Sequence, residues 1–235
     1  MRILAVETST LLGGIAIIHD AAGLVAEARL NIEATHSERL MTVIDHLLER
    51  TSLRLNDLDA FAVSIGPGSF TGLRIGLSTV KGFSYAMGKP LVAVPSLEAL
   101  AWNLPFSRHP VCTIIDARKK EVYAALFLWE GERFKRMMDE MPLGVERLME
   151  WLELNEALIG KHIVFAGEWA LLHRETIVER LGEKALFPPS DKMIPSPASV
   201  AWLGLQKAVK REFAEPVSLV PIYLRKSEAE LRRDA

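Results

Sequence analysis

The order of apolar and polar residues in the first part of the chain predicts three strands followed by alternating helices and strands. Glycines and turn residues separate short apolar runs at the start of the chain, a pattern typical of consecutive strands. The predicted strands are Ile3–Val6, Gly14–His19, Leu24–Leu30, Ala60–Ile65 and Leu91–Val94, and the predicted helices are Thr35–Arg50, Phe70–Met87 and Ser96–Asn103. This βββαβαβα order is that of a mixed sheet with helices on its faces.

Local signals mark where the two longer helices begin. Thr35 and Glu38 have the spacing of a capping box. Ala60–Ile65 is a continuous apolar run, as expected of a strand that is buried on both faces. Gly66-Pro67-Gly68 ends that run, and Ser69 is placed to cap the helix that follows. The chain is therefore predicted to turn sharply from a buried strand into the second helix.

The proline-punctuated stretch Pro105–Pro110 is the predicted boundary between an N-terminal lobe of residues 1–107 and a C-terminal lobe of residues 108–235. Beyond it, the predicted strands are Val111–Asp116, Glu121–Trp129 and Ile163–Ala166, and the predicted helices are Val145–Leu154, Trp169–Leu181 and Pro197–Glu212. The tail Ser227–Ala235 carries charges of both signs, which favours a solvated or frayed helix over a binding arm.

Composition and charge exclude several classes of protein. With 235 residues, 49% hydrophobic and 25% charged, the chain is an ordinary globular protein of one large or two small domains. The single cysteine, Cys112, cannot form an internal disulfide, which favours a reducing, cytoplasmic location. No apolar run is long enough to span a membrane, and Glu7 interrupts the first run before it could form a signal peptide. A net charge of −2 argues against a stand-alone nucleic-acid binder.

The usual catalytic patterns are missing from the sequence. No two of the six histidines lie three or four residues apart, and one cysteine cannot build a cysteine-rich zinc site. No serine lies in a nucleophile elbow. Gly66 and Gly68 are followed by Gly72, one residue too late for the dinucleotide fingerprint.

The glycine-rich turn Gly66–Ser69 is the first candidate for chemistry. A turn of this kind at a helix N-terminus presents free N–H groups and the positive end of the helix dipole, which suits an anion. The other interpretation, a tight turn that only permits close packing, is favoured on local grounds. Glu7, Thr8 and Ser9 close the first strand, and a carboxylate with two hydroxyls there could hold a Mg²⁺–phosphate. A polar strand-to-turn junction is the more frequent meaning of that pattern.

The two longer helices carry more apolar surface than a single sheet contact needs. At about 100° per residue, roughly two-thirds of the second helix is apolar or small, against a stripe of about 100° for a helix that lies on a sheet. Gly72 and Gly76 would allow another helix to approach closely. Packing of the two helices on each other and a subunit interface explain this surplus equally well.

The segment Asp116–Tyr123 places charges in a hairpin between two predicted strands. A solvated turn is the favoured interpretation.

Five segments of the sequence together resemble the bacterial TsaB (YeaZ) family. They are Ile3–Ser9, His36-Ser37-Glu38, Gly66–Gly76, Asp116-Ala117-Arg118 with Glu121-Val122-Tyr123, and Pro221–Arg225. The resemblance extends over nearly the whole chain. It implies an α/β protein with the two-lobed fold of actin-like ATPases (ASKHA), in which each lobe is ribonuclease H-like, a mixed sheet flanked by helices. The C-terminal lobe would be degenerate, with a tail able to pack back on the first lobe.

The resemblance also implies a function in the threonylcarbamoyladenosine modification of tRNA beside the anticodon. Such a chain would be a non-catalytic subunit that binds the TsaD transferase, with TsaE as a third component, and that forms a homodimer when alone. It would meet tRNA only through the complex. No cofactor of its own is expected, although ATP or ADP with Mg²⁺ could bind in the assembled complex. Since TsaD would dock on the two long helices, the expected contact residues are Leu40, Met41, Ile44, Gly72, Gly76 and Phe83.

Comparison with TsaD-like proteins supports a non-catalytic role. Those proteins carry a metal-binding His-x-x-x-His after the strand that corresponds to Leu91–Val94. Ser96 and Leu100 occupy the two positions here, and leucine cannot bind a metal. The alternative is an ATP-binding enzyme or nucleotide switch that uses Glu7–Ser9 and Gly66–Ser69. A metallopeptidase is disfavoured by the same two substitutions.

Overall fold

The computed structural model describes residues 1–31 and 36–224, and within these ranges the side chains of residues 30, 31, 36–39 and 158 are not described. The strands are β1 (Arg2–Glu7), β2 (Leu12–His19), β3 (Gly23–Asn31), β4 (Ala60–Ser64), β5 (Leu91–Val94), β6 (Val111–Arg118), β7 (Glu121–Glu130), β8 (Arg133–Gly144), β9 (Ile163–Ala166) and β10 (Ala185–Leu186). The helices are α1 (His36–Arg50), α2 (Phe70–Met87), α3 (Ser96–Ala101), α4 (Val145–Leu154), α5 (Glu156–Ile159), α6 (Glu168–Leu172), α7 (Arg174–Leu181) and α8 (Pro197–Val209). None of these helices is both long and apolar enough to cross a membrane.

The chain divides into two compact units, and the division is not a single cut near residue 107. The first unit combines Met1–Ala99 with Pro195–Ile222. The second unit contains Leu100–Ile194 and the described residues from Tyr223 onward. Helix α8 therefore belongs to the first unit although it follows the second in sequence.

The first unit is built on a mixed sheet in the order β3-β2-β1-β4-β5. Strand β1 pairs antiparallel with β2 and parallel with β4, so the polypeptide crosses over through α1 before β4. One face of the sheet packs against the apolar sides of α1 and α2, and Leu4, Ile44 and Val80 lie in that core. The other face carries α8, where Gly204 lets the helix approach Ala62 of β4. Because both faces are covered, β1 and β4 are buried along their length, as their apolar runs predict.

The N-cap of helix α8 is Ser196, and residues of a strand far away in the sequence hold it in place. The hydroxyl of Ser196 accepts a hydrogen bond from the Ala198 N–H at 3.1 Å and donates one to Glu27 Oε1 at 2.8 Å. The Arg29 guanidinium donates to the same hydroxyl at 3.0 Å and to Glu27 at 3.0 Å. Glu27 and Arg29 lie on β3, so this network attaches the start of α8 to the edge of the sheet.

The second unit repeats the strand order of the first. Its sheet runs β8-β7-β6-β9-β10, with β6 to β8 antiparallel and β9 and β10 parallel to β6. The two sheets therefore have the same topology although the sequence shows no repeat. The core of this unit contains Ile114, Leu126, Leu148, Phe165 and Ile177.

Most predicted elements are confirmed, including the βββαβαβα order of the first unit, and four predictions need correction. The predicted helix Trp169–Leu181 is two helices, α6 and α7, which meet at His173. Predicted ends at Asn103 and Glu212 fall at Ala101 and Val209 instead. Strand β8 escaped prediction because it is an edge strand with charged residues on its exposed side. The side chains of the predicted capping box and the tail Ser227–Ala235 lie outside the described residues.

Candidate functional site

The parallel pairing of β1 and β4 brings together the two segments singled out in the sequence. Val6 lies opposite Val63, so the carboxyl ends of both strands reach the same edge of the sheet. Glu7–Ser9 follows one strand and Gly66–Ser69 follows the other. The Ser69 N–H donates to the Ser9 carbonyl at 2.7 Å, which joins the two segments directly.

Glu7 is fully buried and forms hydrogen bonds with its own neighbours. Its Oε1 accepts hydrogen bonds from the Ser9 N–H at 2.6 Å and from the Ser9 hydroxyl. Burial raises the pKa of Glu7 to about 7, and the hydrogen bonds from Ser9 and from the Ser64 hydroxyl lower the pKa only in part. The Ser64 hydroxyl also accepts a hydrogen bond from the Thr8 N–H at 3.4 Å. Glu7 Oε1 is thus held by Ser9, whereas Oε2 is buried with no hydrogen-bond partner among the described residues.

Thr8 occupies a socket between two glycines of α2. A Cβ on Gly76 would collide with Thr8 Oγ1, and a Cβ on Gly72 would collide with the Thr8 carbonyl. Both glycines are buried. The close approach that Gly72 and Gly76 allow is made within the chain to β1. Their contact with a partner stays a prediction.

Three backbone N–H groups around this turn, those of Gly66, Ser69 and Gly72, donate within the chain. The Ser69 hydroxyl accepts from the Gly72 N–H at 3.3 Å, which confirms Ser69 as the helix cap. A Cβ on Gly68 would collide with the Ser9 carbonyl. The Gly66 N–H donates to the Ser96 hydroxyl at 3.1 Å. These contacts within the chain fit the tight-turn interpretation of Gly66–Ser69.

The two positions that correspond to metal ligands in TsaD-like proteins have structural roles. Ser96 is buried and binds the Gly66 amide, and Leu100 is a fully buried core residue. Among the described residues, no group of three or more histidine, cysteine, aspartate or glutamate side chains could hold a metal ion. Ser64 and Ser96 were missed as site residues because isolated serines carry no pattern in the sequence.

The remaining contact candidates divide into buried and accessible residues. Leu40 and Ile44 are buried in the core of the first unit, and Phe83 is half-buried with its ring 5.6 Å from Phe61. Met41 on α1 is 46% exposed and is accessible to a partner. On α2, Tyr85 is 91% exposed, although its position on a polar arc of the helix kept it out of the predicted set.

Comparison with known proteins relates the chain to one biosynthetic system. The family model described as TsaD, tRNA N6-adenosine threonylcarbamoyltransferase, matches residues 25–233. The tRNA threonylcarbamoyladenosine biosynthesis protein TsaB of Bacillus subtilis is 32% identical over 99% of this chain and 97% of its own length. These matches agree with the motifs identified in the sequence.

Solved structures show the same architecture. A Pseudomonas aeruginosa protein, described as similar to the peptidase YeaZ, superposes with a TM-score of 0.78 at 26% identity, covering 95% of this chain and 99% of that protein. An Arthrobacter inorganic polyphosphate/ATP-glucomannokinase has a TM-score of 0.51 at 11% identity, with coverage of 89% and 99%, and shares the fold alone. The predicted fold class, two mixed five-stranded sheets flanked by helices as in actin-like ATPases, is confirmed.

Proposed function

The chain belongs to the TsaB family of tRNA threonylcarbamoyladenosine biosynthesis proteins, and we propose that it serves this biosynthesis as a non-catalytic subunit. Its partner would be the TsaD transferase, with TsaE as a third component. The observation that carries the proposal is the closed turn between β4 and α2. There the N–H groups of Gly66, Ser69 and Gly72 donate to the chain's own oxygen atoms.

The contacts around this turn support the proposal that the chain binds no ATP of its own. An anion at a helix N-terminus needs free N–H groups, and those of Gly66, Ser69 and Gly72 already donate within the chain. Glu7 beside them is buried, so its ionised form would repel a phosphate. On its Cβ side, Gly68 packs directly against the Ser9 carbonyl. These features disfavour an ATP-binding enzyme or a nucleotide switch built on this turn.

The replacement of the metal ligands gives independent support. Ser96 cannot be freed for a metal without breaking its hydrogen bond to the Gly66 amide, and Leu100 has no donor atom. Transferase or peptidase chemistry that depends on a metal would therefore have to come from a partner. ATP or ADP with Mg²⁺ and the tRNA would likewise bind in the assembled complex, in the cytoplasm.

The outer faces of α1 and α2 are the proposed surface for TsaD. Tyr85 and Met41 stand on these faces, and Phe70, 37% exposed, lies at the start of α2. Four buried residues would hold these helices on the sheet and so keep the surface in place: Leu40, Ile44, Gly72 and Gly76. When TsaD is absent, the same faces would pair in a homodimer, since exposed apolar side chains are stabilised by burial.

A co-purification experiment tests the interface. The chain is co-expressed with the TsaD of its own organism, and complexes are separated by size-exclusion chromatography with light scattering. Tyr85→Asp should abolish the heterodimer, because an interface anchor would become a buried charge. The matched control is Val217→Asp, since Val217 is 90% exposed in the same unit and lies outside both helices. Heterodimer formation by folded Tyr85→Asp at the wild-type level would contradict this surface. Gly76 substitutions cannot test it, because they disturb Thr8.

Titration calorimetry separates the proposal from the nucleotide-binding alternative. The isolated chain is titrated with ATP and Mg²⁺, and we expect no binding tighter than about 1 mM. Tighter binding that is lost in Ser9→Ala would place a nucleotide at the turn and overturn the closed-site argument. Circular dichroism of the variant controls for folding.

A further inference from the structure

The hairpin between β6 and β7 has an unusual backbone at its tip. Arg118, Lys119 and Lys120 have successive φ values of +64°, +52° and +63°. Left-handed conformations are uncommon for residues other than glycine, asparagine and aspartate, and tight hairpins with positive φ at both central residues strongly prefer Asn-Gly. This chain instead places three cationic side chains at these positions. The tip therefore presents cationic side chains where a hairpin of this kind usually carries Asn-Gly.

Contacts with neighbouring residues distinguish Arg118 from the two lysines. The Arg118 N–H donates to Asp116 Oδ1 at 2.6 Å, and its Nε lies 3.4 Å from Asp116 Oδ2. In the ladder, Arg118 also lies opposite Glu121. In the described part of the chain, the acidic residues Asp116 and Glu121 lie near the tip, and both are beside Arg118.

Lys119 and Lys120 remain available at the end of the hairpin. Both side chains are exposed. In the part of the chain that the structure describes, neither lysine lies in an ion pair, whereas Lys135 and Lys184 pair with glutamates. Two adjacent, unpaired ammonium groups on a protruding turn suit a ligand with regularly spaced negative charges.

We propose that Lys119 and Lys120 contact the phosphodiester backbone of the tRNA while the chain is part of the complex. The proposal rests on the complex described above and extends it, since it gives this subunit its own contact with tRNA. A nucleic-acid backbone is favoured because tRNA is the substrate of the biosynthesis to which the family belongs. Lysine binds phosphate as a point charge, so this contact would position the tRNA and would not read its sequence.

The dependence of binding on salt gives the proposal a measurable signature. A lysine that neutralises a phosphate releases counterions, so the logarithm of the binding constant falls with the logarithm of salt concentration. Removal of one phosphate-contacting lysine should reduce that slope by about one. Loss of both lysines should reduce the slope by about two and weaken binding about tenfold or more near physiological salt.

The test variant is Lys119→Asn with Lys120→Gly. It removes both charges and installs the residue pair that this turn conformation prefers, so the hairpin should be retained and the melting temperature should not fall. The variant Lys119→Arg with Lys120→Arg keeps both charges and should bind like wild type. The matched control is Lys210→Asn with Arg211→Gly. It removes two exposed charges in the first unit, at a turn where Arg211 also has a positive φ of +59°.

Binding of the unmodified tRNA transcript to the purified complex is measured by fluorescence anisotropy over a range of salt concentrations. We expect the Asn-Gly variant at the tip to bind tRNA more weakly and with a smaller salt dependence than wild type. The control at residues 210 and 211 should keep the wild-type affinity and salt dependence. Equal slopes for the two variants would overturn the proposal. Size-exclusion chromatography reports complex assembly separately. If wild type forms no complex, the subunit role fails and this proposal fails with it. A complex that forms normally but shows equal slopes overturns the hairpin contact alone.

Discussion

The Thr8 hydroxyl lies where a Cβ on Gly76 would stand, so α2 can rest on the end of β1 only with glycine at residue 76. Gly72 repeats this relationship one turn earlier, against the Thr8 carbonyl. The glycine stripe of α2 therefore serves internal packing. Through these two contacts, α2 packs directly against the end of β1.

Gly76→Ala should destabilise the protein by about 2 kcal/mol, because overpacking forces the helix away from β1. Gly82→Ala is the matched control on the same helix, since Gly82 is exposed and a Cβ there would meet no atom within 4 Å. That control should stabilise the protein by about 0.5–1 kcal/mol, because alanine favours the helix. Urea denaturation measures both changes. Equal effects of the two substitutions would contradict the close packing of Gly76 against Thr8.

Thr8→Ala should relieve the damage caused by Gly76→Ala. The Thr8 hydroxyl is buried and has no hydrogen-bond partner among the described residues, so its removal alone should cost little. A double-mutant cycle should show that the double variant is more stable than the sum of the single effects by about 1 kcal/mol. Strict additivity would show that the two residues do not compete for space.

The buried Glu7 should make stability depend on pH. Its folded-state pKa of about 7 lies above the usual value of 4.5. Between these pH values the unfolded chain loses its proton before the folded chain does, so the unfolded state is favoured as the pH rises. This carboxyl should therefore reduce the free energy of unfolding by up to about 3 kcal/mol between pH 4.5 and pH 7.

Glu7→Gln removes this titration while keeping an oxygen that can accept from Ser9. The difference in unfolding free energy between the variant and wild type should shift in favour of the variant as the pH rises from 5 to 8 (~3 kcal/mol at most). Urea denaturation at several pH values measures the difference. A constant difference over that range would mean that Glu7 is not shifted by burial.

Ser196→Ala should destabilise the start of α8 by about 1 kcal/mol, since the helix would lose its cap. Glu27→Gln should weaken the same cap from β3, because Glu27 Oε1 accepts from both the Ser196 hydroxyl and the Ala198 N–H. The two effects should be smaller together than their sum in a denaturation experiment. Ser78→Ala, on the exposed side of α2, should leave stability nearly unchanged.

Cys112 should be unreactive in the folded protein. It is fully buried in β6, and burial raises the pKa of its thiol well above the usual range. Because thiolate is the reactive form, a thiol reagent should label the chain only after unfolding in guanidinium. Rapid labelling of native protein would show that the second unit opens readily.

The sequence predicts most of the strands, the major helices and the family. Continuous apolar runs such as Ala60–Ile65 identify buried strands, since only a strand covered on both faces tolerates them. Apolar residues at helical spacing predict α1 and α2. The glycine-rich block next to Ser69 predicts the turn. Edge strand β8 was invisible, because its solvent-facing side carries charges and the alternation is irregular.

Which residues surround the candidate site residues follows from the three-dimensional packing and not from the sequence pattern. Periodicity shows which side of α2 is apolar or small, but it cannot say whether that side meets a partner or the chain's own β1. The parallel pairing of β1 and β4 placed Glu7–Ser9 against Gly66–Ser69 and brought Ser64 and Ser96 to them from elsewhere in the sequence. Hydrogen-bond satisfaction and atomic exclusion are properties of three-dimensional packing. The sequence could therefore identify the turn as a candidate site. The fold showed that N–H groups of this turn donate to the chain's own oxygen atoms.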